Sequence, residues 1–210
     1  MPSTENSTDP ILRLLREYGA IQQGHFLLAS GLHSPHYVQC ALVLQYPHVA
    51  ARLAAEIADR FRPHRVQTVV GPAIGGITLA YEVARQLGAR AIWAERADGK
   101  MTLRRSFAVS PQEIVLVAED VVTTGGSANE VVELVQHARA HVVGVGAVVD
   151  RSGGAHALTV RFEPLVRLSV QVYPAAACPL CQAGVPLTKP GSRAAVPLAS
   201  ERRGEYSFSE

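Results

Sequence analysis

Apolar residues recur at helical spacing early in the chain and in unbroken runs later, and that change of rhythm predicts the architecture. Ile11, Leu12, Leu14, Leu15 and Tyr18 form one face of a helix that Asp9 caps, Pro10 opens and Gly19 ends. Residues 21–45 alternate poorly and carry Gly24, Ser30, Gly31, Ser34 and Pro35, which predicts short strands and turns. Val49, Leu53, Ile57 and Phe61 restore helical spacing over 47–61. Strands and helices then alternate. Val66–Val70 predicts a strand ending in Gly71-Pro72, and Gly75-Gly76 opens a helix that runs through Leu87 and stops at Gly88. Ala89–Ala94 and Ile114–Ala118 predict strands, followed by a helix to about Arg139 with Ser127 and Glu130 at capping-box spacing. The apolar run Val142–Val149 fits a parallel strand covered on both faces, and Val166–Tyr173 predicts a last strand. The expected fold class is therefore α/β, a mostly parallel central sheet flanked by helices. One domain spans 1–210: an N-terminal segment over about 10–62, an α/β core over about 63–173, and a Pro- and Ala-rich tail over 174–210.

Composition narrows the class of protein. The 210 residues are 48% hydrophobic and 18% charged with a net charge of +2, a balance that carries no nucleic-acid footprint. No apolar run approaches the roughly 18 residues of a membrane helix. The start, Met1-Pro2-Ser3-Thr4-Glu5-Asn6, shows no signal-peptide pattern, so a cytoplasmic location is expected. Three cysteines do not make a disulfide framework. Lys100 and Lys189 are the sole lysines beside 18 arginines, so a specific use for either ammonium is worth weighing.

The candidate chemistry centres on Val115–Ser127, V-L-V-A-E-D-V-V-T-T-G-G-S. A buried strand delivers the adjacent carboxylates Glu119 and Asp120 to its carboxyl end, where ligands bind in parallel sheets. The loop Thr123-Thr124-Gly125-Gly126-Ser127 then opens a helix. Carboxylates there grip sugar hydroxyls, and backbone N–H groups at a helix start wrap a phosphate. The order of residue types predicts a sugar-phosphate site. Gly71 and the pair Asp150-Arg151 fall at the same edge of the sheet.

All thirteen positions of Val115–Ser127 fit the phosphoribosyl diphosphate (PRPP) motif of the type I phosphoribosyltransferases, which this stretch resembles. Gly24–Tyr37 resembles the N-terminal hood of orotate phosphoribosyltransferases, Gly71-Pro72-Ala73-Ile74-Gly75-Gly76 their first loop, and Asp150-Arg151 their D-R pair. The resemblance covers about residues 10–173. It implies transfer of the phosphoribosyl group from PRPP to orotate with Mg²⁺, giving orotidine 5′-monophosphate and diphosphate in pyrimidine biosynthesis. By the same resemblance Thr123–Ser127 hold the 5′-phosphate of PRPP, and Val121 and Val122 are also PRPP contacts. Glu119 and Asp120 hold the ribose and favour the charge developing at C1, Ile74 and Gly75 face the diphosphate, and Arg151 and Thr123 contact orotate. Ala94–Arg105 resembles the family's mobile catalytic loop, in which Lys100, assisted by Arg96, would meet the diphosphate of the neighbouring subunit. That implies a homodimer. No residue is assigned as a direct protein ligand of the magnesium.

The hood has Ala29 where many members of that family carry Lys, and the loop is shorter and lacks His. Arg104 and Arg105 are candidate substitutes. A solvated charged hairpin is the alternative for this segment. In the tail, Cys178-Pro179-Leu180-Cys181 offers two of the four ligands zinc takes. Two copies across a dimer axis would complete a set, and the simpler reading is thiols shaping a turn. Cys40 reads as a core or hood residue. The histidines show no metal-ligand spacing, and His33 and His36 read as hood surface residues. Two alternative functions remain at this stage: a purine phosphoribosyltransferase, and a PRPP-sensing regulator, for which no basic recognition helix stands out.

Overall fold

A computed structural model describes residues 9–190, so Met1–Asn6 and the tail beyond Pro190 lie outside the described residues. Helix α1 (Pro10–Glu17) starts where Asp9 accepts hydrogen bonds from the Ile11 and Leu12 amides, at 2.8 and 3.2 Å. Such a cap stabilises by about 1 kcal/mol. Strands β1 (Ile21–Leu27) and β2 (His33–Val38) form a separate antiparallel hairpin. A short helix α2 (Ala41–Leu44) follows where only turns and strands are expected. Helix α3 (Pro47–Phe61) buries Leu53, Ile57 and Phe61 completely, each worth roughly 1.5–3 kcal/mol in burial.

The main sheet comprises β3 (Thr68–Pro72), β4 (Arg90–Ala97), β5 (Lys100–Leu103), β6 (Ile114–Val122), β7 (His141–Asp150) and β8 (Phe162–Arg167). Its order is β5-β4-β3-β6-β7-β8, parallel throughout except that β5 runs antiparallel to β4. Helix α4 (Gly75–Leu87) crosses from β3 to β4, and α5 (Gly126–His137) from β6 to β7. Side-chain alternation splits the core in two. Val69, Leu116 and Ala118 face the layer with α1, α3 and α4, while Val70, Val115 and Val117 face Val131, Val132 and Val135 of α5. A sheet covered on both faces explains why its strands read as unbroken apolar runs.

The boundaries depart from expectation at three places. The β6 strand continues past its acids to Val122, because Val121 and Val122 pair with Val149 and Asp150 of β7. The last strand is Phe162–Arg167, not Val166–Tyr173: residues after Arg167 leave the sheet, and Tyr173 exchanges two backbone hydrogen bonds of 2.8 Å with His33. The alternation read there as one strand belongs to two different partners. The predicted capping box does not form. Gly125 is the N-cap of α5 at φ +80°, Ser127 lies inside the helix, and Arg96 takes the Glu130 carboxylate. Finally, Cys178–Gln182 turns into a short helix α6 (Pro179–Gln182), and the chain returns to pair Thr188 with β1.

Candidate active site

The chain reverses its direction of travel across the sheet between β3 and β6. From β3 it winds outward to β4 and β5, and from β6 to β7 and β8. Such a switch point leaves a crevice at the carboxyl ends of the two central strands. The β3 side supplies Ala73–Gly76, with a cis Ala73–Ile74 peptide and an Ile74 side chain 86% exposed. The β6 side supplies Glu119 and Asp120. The two sides meet closely: a Cβ on Gly75 would lie 2.7 Å from both Asp120 carboxylate oxygens. A larger residue at position 75 would displace the Asp120 carboxylate.

The two acids differ in environment. Glu119 is buried, and its Oε1 accepts from the Asp120 amide at 3.2 Å. Burial, and then the Asp120 charge, push the Glu119 carboxyl well above its ordinary range. The Asp120 carboxylate accepts from the Val121 amide at 2.9 Å. Beneath them Cys40 is fully buried, its thiol directed at the Asp120 carbonyl at 3.8 Å. Burial, then Asp120 and Glu119, raise the pKa of that thiol, so it stays neutral and acts as a small core residue, as expected.

Beyond the acids the chain forms an open cavity of about 70 Å³ lined by Glu119 and residues 121–128. Gly125 takes a left-handed conformation, turning the loop into α5. The hydroxyl-bearing residues Thr123, Thr124 and Ser127 are exposed at this rim. First-turn amides of α5 have no intrahelical acceptor, so this is an anion cradle. The loop after β7 flanks it: the Arg151 amide donates to Val122 O and the Ala157 amide to Thr124 O, both at 2.8 Å.

Arg151 is half-buried, and its guanidinium has no hydrogen bond or ion pair among the described residues. Burial lowers its pKa, opposed by the nearby Tyr37 of β2, so the hood reaches over the Asp150-Arg151 corner. A half-buried cation without a fixed partner is suited to an anionic ligand. Asp150 is occupied structurally, accepting from the Ser152 amide and hydroxyl at 2.8 and 2.6 Å.

The structure thus gathers Ile74, Gly75, Glu119–Ser127 and Arg151 along one crevice edge. It does not bring Arg96 or Lys100 there. The segment 94–105 is a tight hairpin, β4–β5, closed by Asp98 and Gly99 at φ +51° and +78°. An Asp-Gly pair is the expected sequence for that turn. Arg96 makes a bidentate pair with Glu130 of α5 at 2.7 and 2.9 Å, and Lys100 lines a groove beside Glu133 and His137. Arg104 and Arg105 face Glu95 at 3.9 and 3.4 Å. Within one chain these cations serve the hairpin. Two features escaped the sequence pattern. One is Tyr37 beside Arg151. The other is the convergence of His25 and His33 with Cys178 and Cys181, which corrects the reading of His33 as a surface residue: it is 5% exposed. Their separation of about 150 positions leaves no spacing signal.

A parallel sheet whose switch-point crevice joins paired carboxylates to a hydroxyl-rich anion cradle defines the phosphoribosyltransferase class. Residues 43–158 match the phosphoribosyl transferase domain family. Within that class the chain belongs to the orotate phosphoribosyltransferase family. It is 52% identical to an orotate phosphoribosyltransferase of Caldanaerobacter subterraneus subsp. tengcongensis over 88% of this chain and 97% of that one. The Thermotoga maritima orotate phosphoribosyltransferase is 50% identical over 87% and 98%. Among solved structures, orotate phosphoribosyltransferase from Aeropyrum pernix superposes with a TM-score of 0.64 at 25% identity, over 75% of this chain and 93% of that one. Adenine phosphoribosyltransferase from Rhodothermus marinus, at 21% identity, covers 75% and 98% with a TM-score of 0.60 and shares the fold.

Proposed function

We propose that this chain transfers the 5-phosphoribosyl group of PRPP to orotate, yielding orotidine 5′-monophosphate and diphosphate in pyrimidine biosynthesis. The observation that carries the acceptor is Arg151, a half-buried guanidinium without a fixed partner at the end of the PRPP crevice. A guanidinium fork matches a carboxylate. A purine carries no carboxylate, and this weighs against the purine alternative despite the shared fold.

The roles follow from position. The amides and hydroxyls of Thr123–Ser127 take the 5′-phosphate, with Val121 and Val122 beside them in the PRPP site. Glu119 and Asp120 accept hydrogen bonds from the ribose hydroxyls and fix the ring. As the C1–O bond to diphosphate breaks, positive charge grows on the ring, and these fixed acids favour it. Arg151 pairs with the orotate carboxylate and Thr123 contacts the base. The ring nitrogen forms the new bond to C1 as its proton passes to solvent, and diphosphate departs with the electron pair of the broken C1–O bond. The open backbone at Ile74-Gly75 lies where the diphosphate passes. The crevice presents oxygen donors, Glu119 and Asp120, which suit a hard cation such as Mg²⁺ arriving with PRPP. When bound, the ion offsets charge on the diphosphate. Lys100 and Arg96 complete this in the neighbouring subunit's site, so the working unit is a homodimer. It acts in the cytoplasm without nucleic-acid partners, and no helix among the described residues is long and apolar enough to cross a membrane.

The test is direct. Incubation with PRPP, Mg²⁺ and orotate should deplete orotate absorbance, with no turnover of hypoxanthine, adenine or uracil. Turnover of a purine in place of orotate overturns the reading.

A further inference from the structure

The hood and tail enclose four side chains that the transfer reaction does not use. His25 lies on β1, His33 begins β2, and Cys178 and Cys181 flank the start of α6. One ligand atom from each lies within 4.8 Å of all the others. His25 Nε2 is 3.0 Å from His33 Nδ1, 3.5 Å from Cys178 Sγ and 3.7 Å from Cys181 Sγ. Cys181 Sγ is 3.3 Å from His33 Nδ1. A tetrahedron built with usual zinc–nitrogen and zinc–sulfur bonds has ligand–ligand edges of about 3.3–3.8 Å. These four of the six separations fall on or near those edges, and the remaining two lie within 4.8 Å.

Protonation supports the same conclusion. A carbonyl oxygen only accepts, so His25 Nδ1, 2.8 Å from Val185 O, carries the ring proton. Nε2 is then a bare lone pair aimed into the cluster, and the Nδ1–H to carbonyl bond is the orientation that metal-bound imidazoles favour. Three members of the cluster are buried: His25 at 2%, His33 at 5% and Cys178 at 0% exposure. The Cys-x-x-Cys spacing supplies the second pair, because the helical turn opened by Pro179 carries both sulfurs to one side.

We propose that His25, His33, Cys178 and Cys181 form a structural Zn²⁺ site that staples the C-terminal tail to the hood. Two thiolates and two imidazoles at tetrahedral spacing select zinc over hard cations. Four protein ligands leave no open position, so the site is structural. It completes within one chain and needs no dimer axis. The need for it is visible in the described part of the tail, 174–190, which has no core of its own: Val185 and Leu187 are 38% and 45% exposed. Otherwise it is held by backbone pairs, Tyr173 with His33 and Thr188 with His25 and Leu27, at 2.7–2.8 Å. A short unit without a core is where a metal supplies folding energy. Binding releases the thiol protons and involves no redox step.

The full chain, purified without a histidine tag under reducing conditions, should carry about one zinc per chain by elemental analysis. Cys178→Ser and His33→Ala should each lower this to below about one tenth. Should a variant misfold, the wild-type chain still decides the matter. Replacement by Co²⁺ should give the intense d–d bands of a tetrahedral centre with thiolate charge transfer. Stripping the zinc should expose Cys178 and Cys181 to a thiol reagent and 174–190 to protease, reversed by adding Zn²⁺ back. A folded wild-type chain without zinc, a Cys178–Cys181 disulfide that persists through the reducing purification, or zinc retained in both variants overturns the proposal. The outcome is independent of the orotate assay, which reads a different site.

Discussion

Glu119 shows how one buried carboxyl sets a pH dependence. Its 8% exposure and the adjacent Asp120 hold its pKa well above the usual carboxylate range. Accepting ribose hydroxyls requires the ionised form, so activity is lost as pH falls through that raised pKa. The folding contribution has the opposite sign: it is fully present below the unfolded value and is lost as pH rises through the folded one. We expect kcat/KM for PRPP to show an acidic limb above about pH 4.3, the unperturbed glutamate value. Glu119→Gln should remove the limb and lower kcat/KM by about a hundredfold. A pH–rate series on both proteins checks this, and an identical limb in the variant would assign the titration to another group.

At the opposite end of the sheet, three strands are tied by a polar cluster. Arg90 of β4 donates to Thr68 Oγ1 of β3 at 2.7 Å and to the Glu113 carboxylate at 2.8 Å, just before β6, and Thr68 also donates to Glu113. Burial opposes ionisation of Glu113, but the Ser110 amide, Thr68 and Arg90 together hold its pKa below the usual value. A lowered carboxylate stabilises above the unfolded pKa and loses that contribution as pH falls through the folded one. Glu113→Gln should therefore cost roughly 1 kcal/mol at neutral pH, with the difference closing below about pH 4. Denaturant titrations at the two pH values measure it, and a constant difference would remove the charge from the account. The strands this cluster joins were legible in the sequence because both faces are covered, as were α1 and α4, whose ends Asp9 and Gly88 mark. The Glu119–Ser127 crevice was legible because its chemistry is consecutive in the chain. Legibility failed where contacts are distant and where the local signal is short or open to two readings. Val166–Tyr173 alternates through two partners, α2 is too short to show a period, and Asp98-Gly99 was a hairpin signal read as part of a mobile loop. The four metal-ligand candidates come together only when the tail returns to β1.

The hood and core of one chain assemble the crevice yet leave the Lys100 hairpin turned toward α5, with Arg96 paired to Glu130. A diphosphate at Ile74-Gly75 thus lacks a mobile cation from its own chain among the placements described. In the homodimer reading, each hairpin serves the other protomer's crevice. A closed two-fold arrangement makes this exchange reciprocal. Lys100→Ala removes the cation that a chain lends, while Asp120→Asn disables the crevice that it owns. Each variant alone should fall below about 1% of wild-type kcat, since each defect then affects every site. Mixed after reversible dissociation, half of the dimers combine the two chains. In each of these, one site carries both defects and the other carries neither. Activity should recover to about a quarter of wild type. If Lys100 served its own crevice, every site in the mixture would still carry one defect and nothing would be recovered. Steady-state assays across mixing ratios, with chain exchange followed by mass spectrometry, separate the two arrangements. Activity should peak at equal proportions in the shared arrangement and stay flat in the other.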